Sequence, residues 1–146
     1  MIIIILGVLC LVFFIENARE LRTFRIRTYR IFSHKLKGIQ KKRIVFLSDL
    51  HNCSYGKNNG RLLAAVRRSR PDLILIGGDM LVRKNGTSYA KTLKFLTRLT
   101  AMCPVYYANG NHEQKLKEEP ERYEQSYAAY KKHLEEAGII SWKMRL

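Results

Sequence analysis

The chain has 146 residues, 47% of them hydrophobic, and a formal net charge of +15. That is enough chain for one modest domain, and a normal apolar fraction for a globular one. Cys10, Cys53 and Cys103 are odd in number and lack metal-type spacing. This excludes a disulfide framework and a cysteine metal cluster and leaves three free or buried thiols.

Met1 to Ile15 carries no charged or strongly polar residue. A helix over it rises about 22 Å against a hydrocarbon core of about 30 Å. No positive charge precedes the run, so it does not read as a cleaved secretory leader. The expectation is an uncleaved, single-pass N-terminal membrane anchor over residues 1–17. The run is apolar all round, which disfavours an ordinary core helix.

Residues 18–40 read as a basic juxtamembrane segment. Positions 17 to 45 hold ten Lys or Arg and one acid, Glu20. Such charge favours the cytoplasmic side and anionic headgroups. From Arg22 to Ile31, Phe24, Ile26, Tyr29 and Ile31 sit among Thr and Arg, partly at period two, as in an edge strand. Arginine among aromatics also suits nucleic acid. No nucleic-acid module accompanies it, so the lipid-facing or solvated reading ranks higher.

Residues 41–146 read as one domain. Lys41 to Leu47 is a core strand, Asn52 to Gly60 a polar loop, and Arg61 to Arg70 a helix stopped by Pro71. Leu73 to Ile76 is apolar on both faces, as in a central parallel strand. Ser88 caps a helix over Tyr89 to Thr100. Pro104 to Asn109 is the third strand. Glu118 to Ala137 is helix-rich, with a packing stripe of Tyr123, Tyr127, Tyr130 and Leu134. Gly138 ends it and Ile139-Ile140 begins a new element. The order βαβαβα predicts a parallel sheet with helices on its faces.

Three apolar runs end in residues that bind metals. The first is Ile-Val-Phe-Leu-Ser-Asp-Leu-His (44–51), and the second is Asp-Leu-Ile-Leu-Ile-Gly-Gly-Asp-Met (72–80). The third is Cys-Pro-Val-Tyr-Tyr-Ala-Asn-Gly-Asn-His-Glu (103–113). In an extended chain Asp49 and His51 share a face. A carboxylate with an imidazole suits a divalent transition metal. Asp49, Asp79 and Asn111 lie 30 and 32 residues apart, which places one ligand cluster per βα unit. Open α/β sheets form their sites outside the carboxyl ends of the strands. Singly each residue has a bland alternative. Asp79 could be a turn residue after Gly-Gly, Asn111 could fill a left-handed position after Gly110, and His112 could be solvated.

Together, Ser-Asp-Leu-His (48–51), Gly-Gly-Asp (77–79) and Gly-Asn-His-Glu (110–113) resemble the calcineurin-like metallophosphoesterases, over about residues 40 to 140. The chain looks most similar to their membrane-anchored bacterial members. The resemblance implies an α/β fold, the N-terminal half of a four-layer α/β/β/α sandwich. It implies a phosphohydrolase in which two divalent metal ions (Mn, Fe or Zn) activate water against a phosphoester substrate. It assigns Asp49 and His51 to the first metal, Asp79 to the bridge and Asn111 to the second metal. His112 then protonates the leaving oxygen or steadies the phosphoryl group, which a histidine can do near neutral pH. Asn52 and Glu113 receive no direct role.

The family's later His and His-x-His ligands have no counterpart after His133. The expectation is therefore a truncated or frame-shifted domain, with an uncovered sheet edge and apolar face. A second copy or a partner chain would supply the missing half. The alternative is a catalytically incomplete, membrane-bound module that binds metal or anionic lipid.

Overall fold

The computed structural model describes residues 1–20, 23–36, 38, 41–123 and 126–142. It separates into two compact units, Met1–Lys37 and Gly38–Leu146.

The first unit is led by helix α1, Ile2–Glu20. Its apolar side chains from Ile4 to Ile15 are all more than half exposed, and Glu16 and Arg19 pair at 2.8 Å on its last turns. Among the described residues no helix is long and apolar enough to cross a membrane. The expected spanning anchor is thus not met. The apolar part of α1 stops at Ile15, before Glu16, and rises only about 21 Å. The expected edge strand within Arg22 to Ile31 is corrected too. Arg22 lies outside the described residues, and 23–31 has no regular structure. A strand needs a neighbour for its ladder, and no strand pairs with this segment among the described residues.

The second unit is a four-stranded parallel sheet in the order β1-β2-β3-β4. The strands are Ile44–Leu47, Leu73–Ile76, Val105–Tyr107 and Ile140–Ser141. Helices α2 (Gly60–Ser69), α3 (Ala90–Thr100), α4 (Asn111–Glu118) and α5 (Tyr127–Glu136) follow or link them. Asp72 ties the first two strands at their entry. Its Oδ2 accepts the Arg43 N–H at 2.8 Å, and that bond, with Lys42 nearby, holds its carboxyl below the ordinary value.

Alternation sorts the sheet into two faces. Ile74, Ile76, Val105 and Tyr107 point inward and are buried with Leu63 and Val66 of α2, Phe95, Leu96 and Leu99 of α3, and Leu134 of α5. On the other face, Ile44, Phe46 and Ile140 are 56%, 66% and 48% exposed. Among the described residues the helices therefore cover one face, not both, and the expected uncovered apolar face is present.

The helix-rich stretch from Glu118 to Ala137 is not continuous. Pro120 sits in a short 3₁₀ turn, Pro120–Arg122, and α5 restarts after Ser126, whose Oγ accepts the Ala129 N–H. Gly138 ends α5 at φ +77°. The N–H groups of Gly138 and Ile139 return to the carbonyls of Glu135 and Leu134, which is a Schellman closure. Ser141 of β4 pairs with Tyr107 of β3.

Candidate metal centre

The ligand-bearing segments leave the C-terminal ends of β1, β2 and β3 and meet there. Beyond Leu47 the chain stays paired to its neighbour. Asp49, His51 and Asn52 donate their N–H groups to the carbonyls of Gly78, Asp79 and Met80 at 3.1, 3.0 and 3.0 Å. This is not an extended strand end. Asp49, His51, Asn52 and Asp79 have φ of 57°, 45°, 57° and 53°, the left-handed region that non-glycine residues rarely occupy. Such strain gathers at functional sites. The expectation that Asp49 and His51 converge holds, but by a left-handed turn rather than by strand alternation. His51 Nε2 lies 3.6 Å from Asp49 Oδ1.

The third segment closes on the second through two glycines. A Cβ on Gly78 would lie 1.9 Å from the Gly110 nitrogen, and one on Gly110 would lie 2.4 Å from the Asp79 nitrogen. Only backbone fits between these loops. Asp79 Oδ1 accepts the His112 N–H at 2.7 Å, so the expected bridging carboxylate also caps the first turn of α4. The rings of His51 and His112 meet edge to face at 4.9 Å. His112 Nδ1 accepts the Arg83 N–H at 3.2 Å. That leaves Nε2 as the nitrogen that carries the proton of a neutral ring. Asn111 is the exposed first residue of α4.

The structure thus brings Asp49 to His51, His51 to His112, and His112 to Asp79. The donors are those a divalent ion takes: carboxylate, imidazole and amide oxygen. Two polar atoms beside them, Asn52 Nδ2 and Arg83 Nε, are buried without a hydrogen-bond partner. Among the described residues no group of three or more His, Cys, Asp or Glu forms a metal-holding cluster. The donor chemistry suits a divalent metal. His34 and His133 are exposed and away from these segments in the sequence, as expected.

Glu113, given no direct role by the sequence, has a structural one. It is fully buried and its carboxyl group joins the loops. Oε2 accepts the N–H groups of Asp79 and Gly110, while Oε1 accepts the Met80 N–H and the Tyr107 hydroxyl. The signal was in Gly-Asn-His-Glu: a glutamate three residues after a helix N-cap reaches back to the cap N–H. The same holds for Asn52. Its Oδ1 accepts the Thr92 hydroxyl at 2.8 Å, which ties the first loop to α3.

Residues 42–143 match the calcineurin-like phosphoesterase family. The chain belongs to that family. It is also 31% identical over 143 residues to an uncharacterized metallophosphoesterase, YkoQ, of Bacillus subtilis (strain 168). That match covers 96% of this chain and 51% of the relative, so the chain spans about half the length of the curated relative it matches. Calcineurin-like phosphoesterases usually use divalent metals and hydrolyse phosphoesters. The α/β architecture and its parallel sheet agree with membership.

Proposed function

We propose that this domain hydrolyses a phosphoester with water activated between two divalent ions, of the Mn, Fe or Zn type. The observation that carries the reading is the meeting of the three segments, backbone to backbone, at one end of the sheet. Asp49 and His51 would hold the first ion, Asp79 would bridge, and Asn111 would offer a neutral oxygen to the second. The ions would supply Lewis acidity and lower the pKa of water between them. An amide ligand adds no negative charge opposite an anionic substrate. With Nδ1 accepting from Arg83, His112 would carry its proton on Nε2 and donate it to the leaving oxygen. A second layer over Ile44, Phe46 and Ile140 would complete the four-layer sandwich.

The test is turnover of a chromogenic phosphodiester with and without manganese, beside Asp79→Asn. The amide keeps an oxygen for the His112 N–H, so the variant should fold. The metal-dependent rate should fall by more than the roughly 10–100-fold typical of changes outside the ligand shell. Unchanged turnover in the variant removes Asp79 from the bridge.

A second reading concerns the first unit: the exposed apolar side of α1 and the basic segment after it bind an anionic lipid surface. What supports it is that Ile26, Tyr29, Ile31 and Phe32, among Arg25, Arg27 and Arg30, are all exposed.

A further inference from the structure

Glu113 is the one fully buried acid among the described residues, and it faces four donors. Three are backbone N–H groups, from Asp79 and Met80 on one loop and from Gly110 on the other. The fourth is Tyr107 at the end of β3. Because Tyr107 donates to Glu113, its contact with Tyr130 at 2.8 Å must be donated by Tyr130. The carboxyl group thus joins the loop after β2 to the loop after β3, and reaches Tyr130 of α5 through Tyr107.

We propose that Glu113 is a positioning residue, which sets the placement of Asp79 against Asn111 and His112 by clamping the backbone of both loops. Its side chain touches no expected ligand atom. It acts through the Asp79 and Gly110 amides, each next to or within a residue that presents a ligand. The glycine contact between Gly78 and Gly110 permits the close approach of the loops, while Glu113 fixes their register. A glutamine cannot replace it. Its NH₂ would face two donors at either oxygen position. The Tyr107 hydroxyl can turn to accept, but no backbone N–H can.

This inference rests on the metal-site reading, so its test has an arm that needs no metal. Glu113→Gln, Tyr107→Phe and Leu99→Ala are compared with the unaltered full chain. Leu99 is fully buried on α3 and serves as a variant that destabilises without touching the loops. The first readout is amide hydrogen exchange at Asp79, Met80 and Gly110. The second is manganese affinity by calorimetry. Glu113→Gln should speed exchange at those three amides beyond their acceleration in Leu99→Ala at matched thermal stability. It should weaken manganese binding at least about tenfold, with Leu99→Ala close to the unaltered chain. Tyr107→Phe removes one donor of four and should fall between, and it decides the matter if Glu113→Gln does not fold. Equal exchange and equal affinity in Glu113→Gln and Leu99→Ala would overturn the clamp. If the unaltered chain takes up no manganese, the metal-site reading fails, and the exchange arm still settles whether Glu113 holds the loops.

Discussion

At the scale of single residues, the site depends on places where a side chain cannot be. Gly78 has φ +86°, and its missing Cβ leaves room for the Gly110 nitrogen. Gly138 has φ +77° with nothing within 4 Å of a built Cβ. The pair separates conformational strain from close approach. Gly138→Ala should cost only the left-handed penalty, about 1–2 kcal/mol. Gly78→Ala should add about 1–3 kcal/mol of overpacking, a melting point lower by several more degrees. Thermal unfolding of both variants checks this; equal losses would mean the two loops can part without cost. Some of this was legible beforehand. The glycines of Gly-Gly-Asp and Gly-Asn-His-Glu fall where the two loops approach backbone to backbone, which demands glycine. Asp49 and His51 were found for a different reason from the one that operates. Period-two reasoning ends with the strand at Leu47, and left-handed turns are set by pairing to Gly78, Asp79 and Met80, which a linear reading does not contain.

At the scale of elements, strands that are apolar on both faces or pinned at their entry were readable. Leu73 to Ile76 was bounded as observed because a short apolar run between Pro71 and Gly77 has few other uses. The Arg22 to Ile31 alternation failed because strand character without a partner strand has no ladder to form. Of the aromatic stripe, Tyr130 and Leu134 are buried as packing, whereas Tyr127 is half-buried and Tyr123 lies outside α5; the polar part played by Tyr130 was hidden. Tyr107 and Tyr130 are buried, and burial, first among the causes, raises both hydroxyls above the ordinary value of 10.0. The sign follows. The unfolded chain releases these protons once pH passes about 10, while the folded chain retains them. Stability is thus complete below that pH and falls as pH rises toward the folded values. Tyr130→Phe should lower stability at neutral pH by about 0.5–1.5 kcal/mol for its lost hydrogen bond. It should also flatten the alkaline fall. Urea unfolding at pH 8 and at pH 11 reads both quantities, and an equally steep alkaline fall in the variant would show that these hydroxyls do not carry it.

At the scale of the whole molecule, charge and exposed apolar surface are unevenly assigned. Of the +15 net charge, the stretch from 17 to 45 contributes ten basic residues against one acid. In the first unit the side chains of α1 from Ile4 to Ile15 are exposed. Composition showed the charge, and hydropathy showed the run. The length of the run already showed a rise of about 22 Å against about 30 Å of hydrocarbon, and the structure ends the apolar part of α1 at Ile15. A short apolar helix next to exposed arginines suits a lipid surface. Each basic residue near anionic lipid contributes about 1 kcal/mol. Replacing Arg25, Arg27 and Arg30 together by Gln should therefore weaken binding to phosphatidylserine vesicles by about 100-fold. The residual preference for anionic over neutral vesicles should be that of the basic residues left in the stretch. Raising salt should erase the difference between the two lipid types, since screening at 1 M acts within about 3 Å. Cosedimentation across a salt series measures this. If the triple variant binds anionic and neutral vesicles as tightly as the unaltered chain does, the arginines are a solvated face and the apolar helix acts alone. If the unaltered chain prefers an oligonucleotide to anionic vesicles at equal salt, the basic segment is a nucleic-acid surface instead.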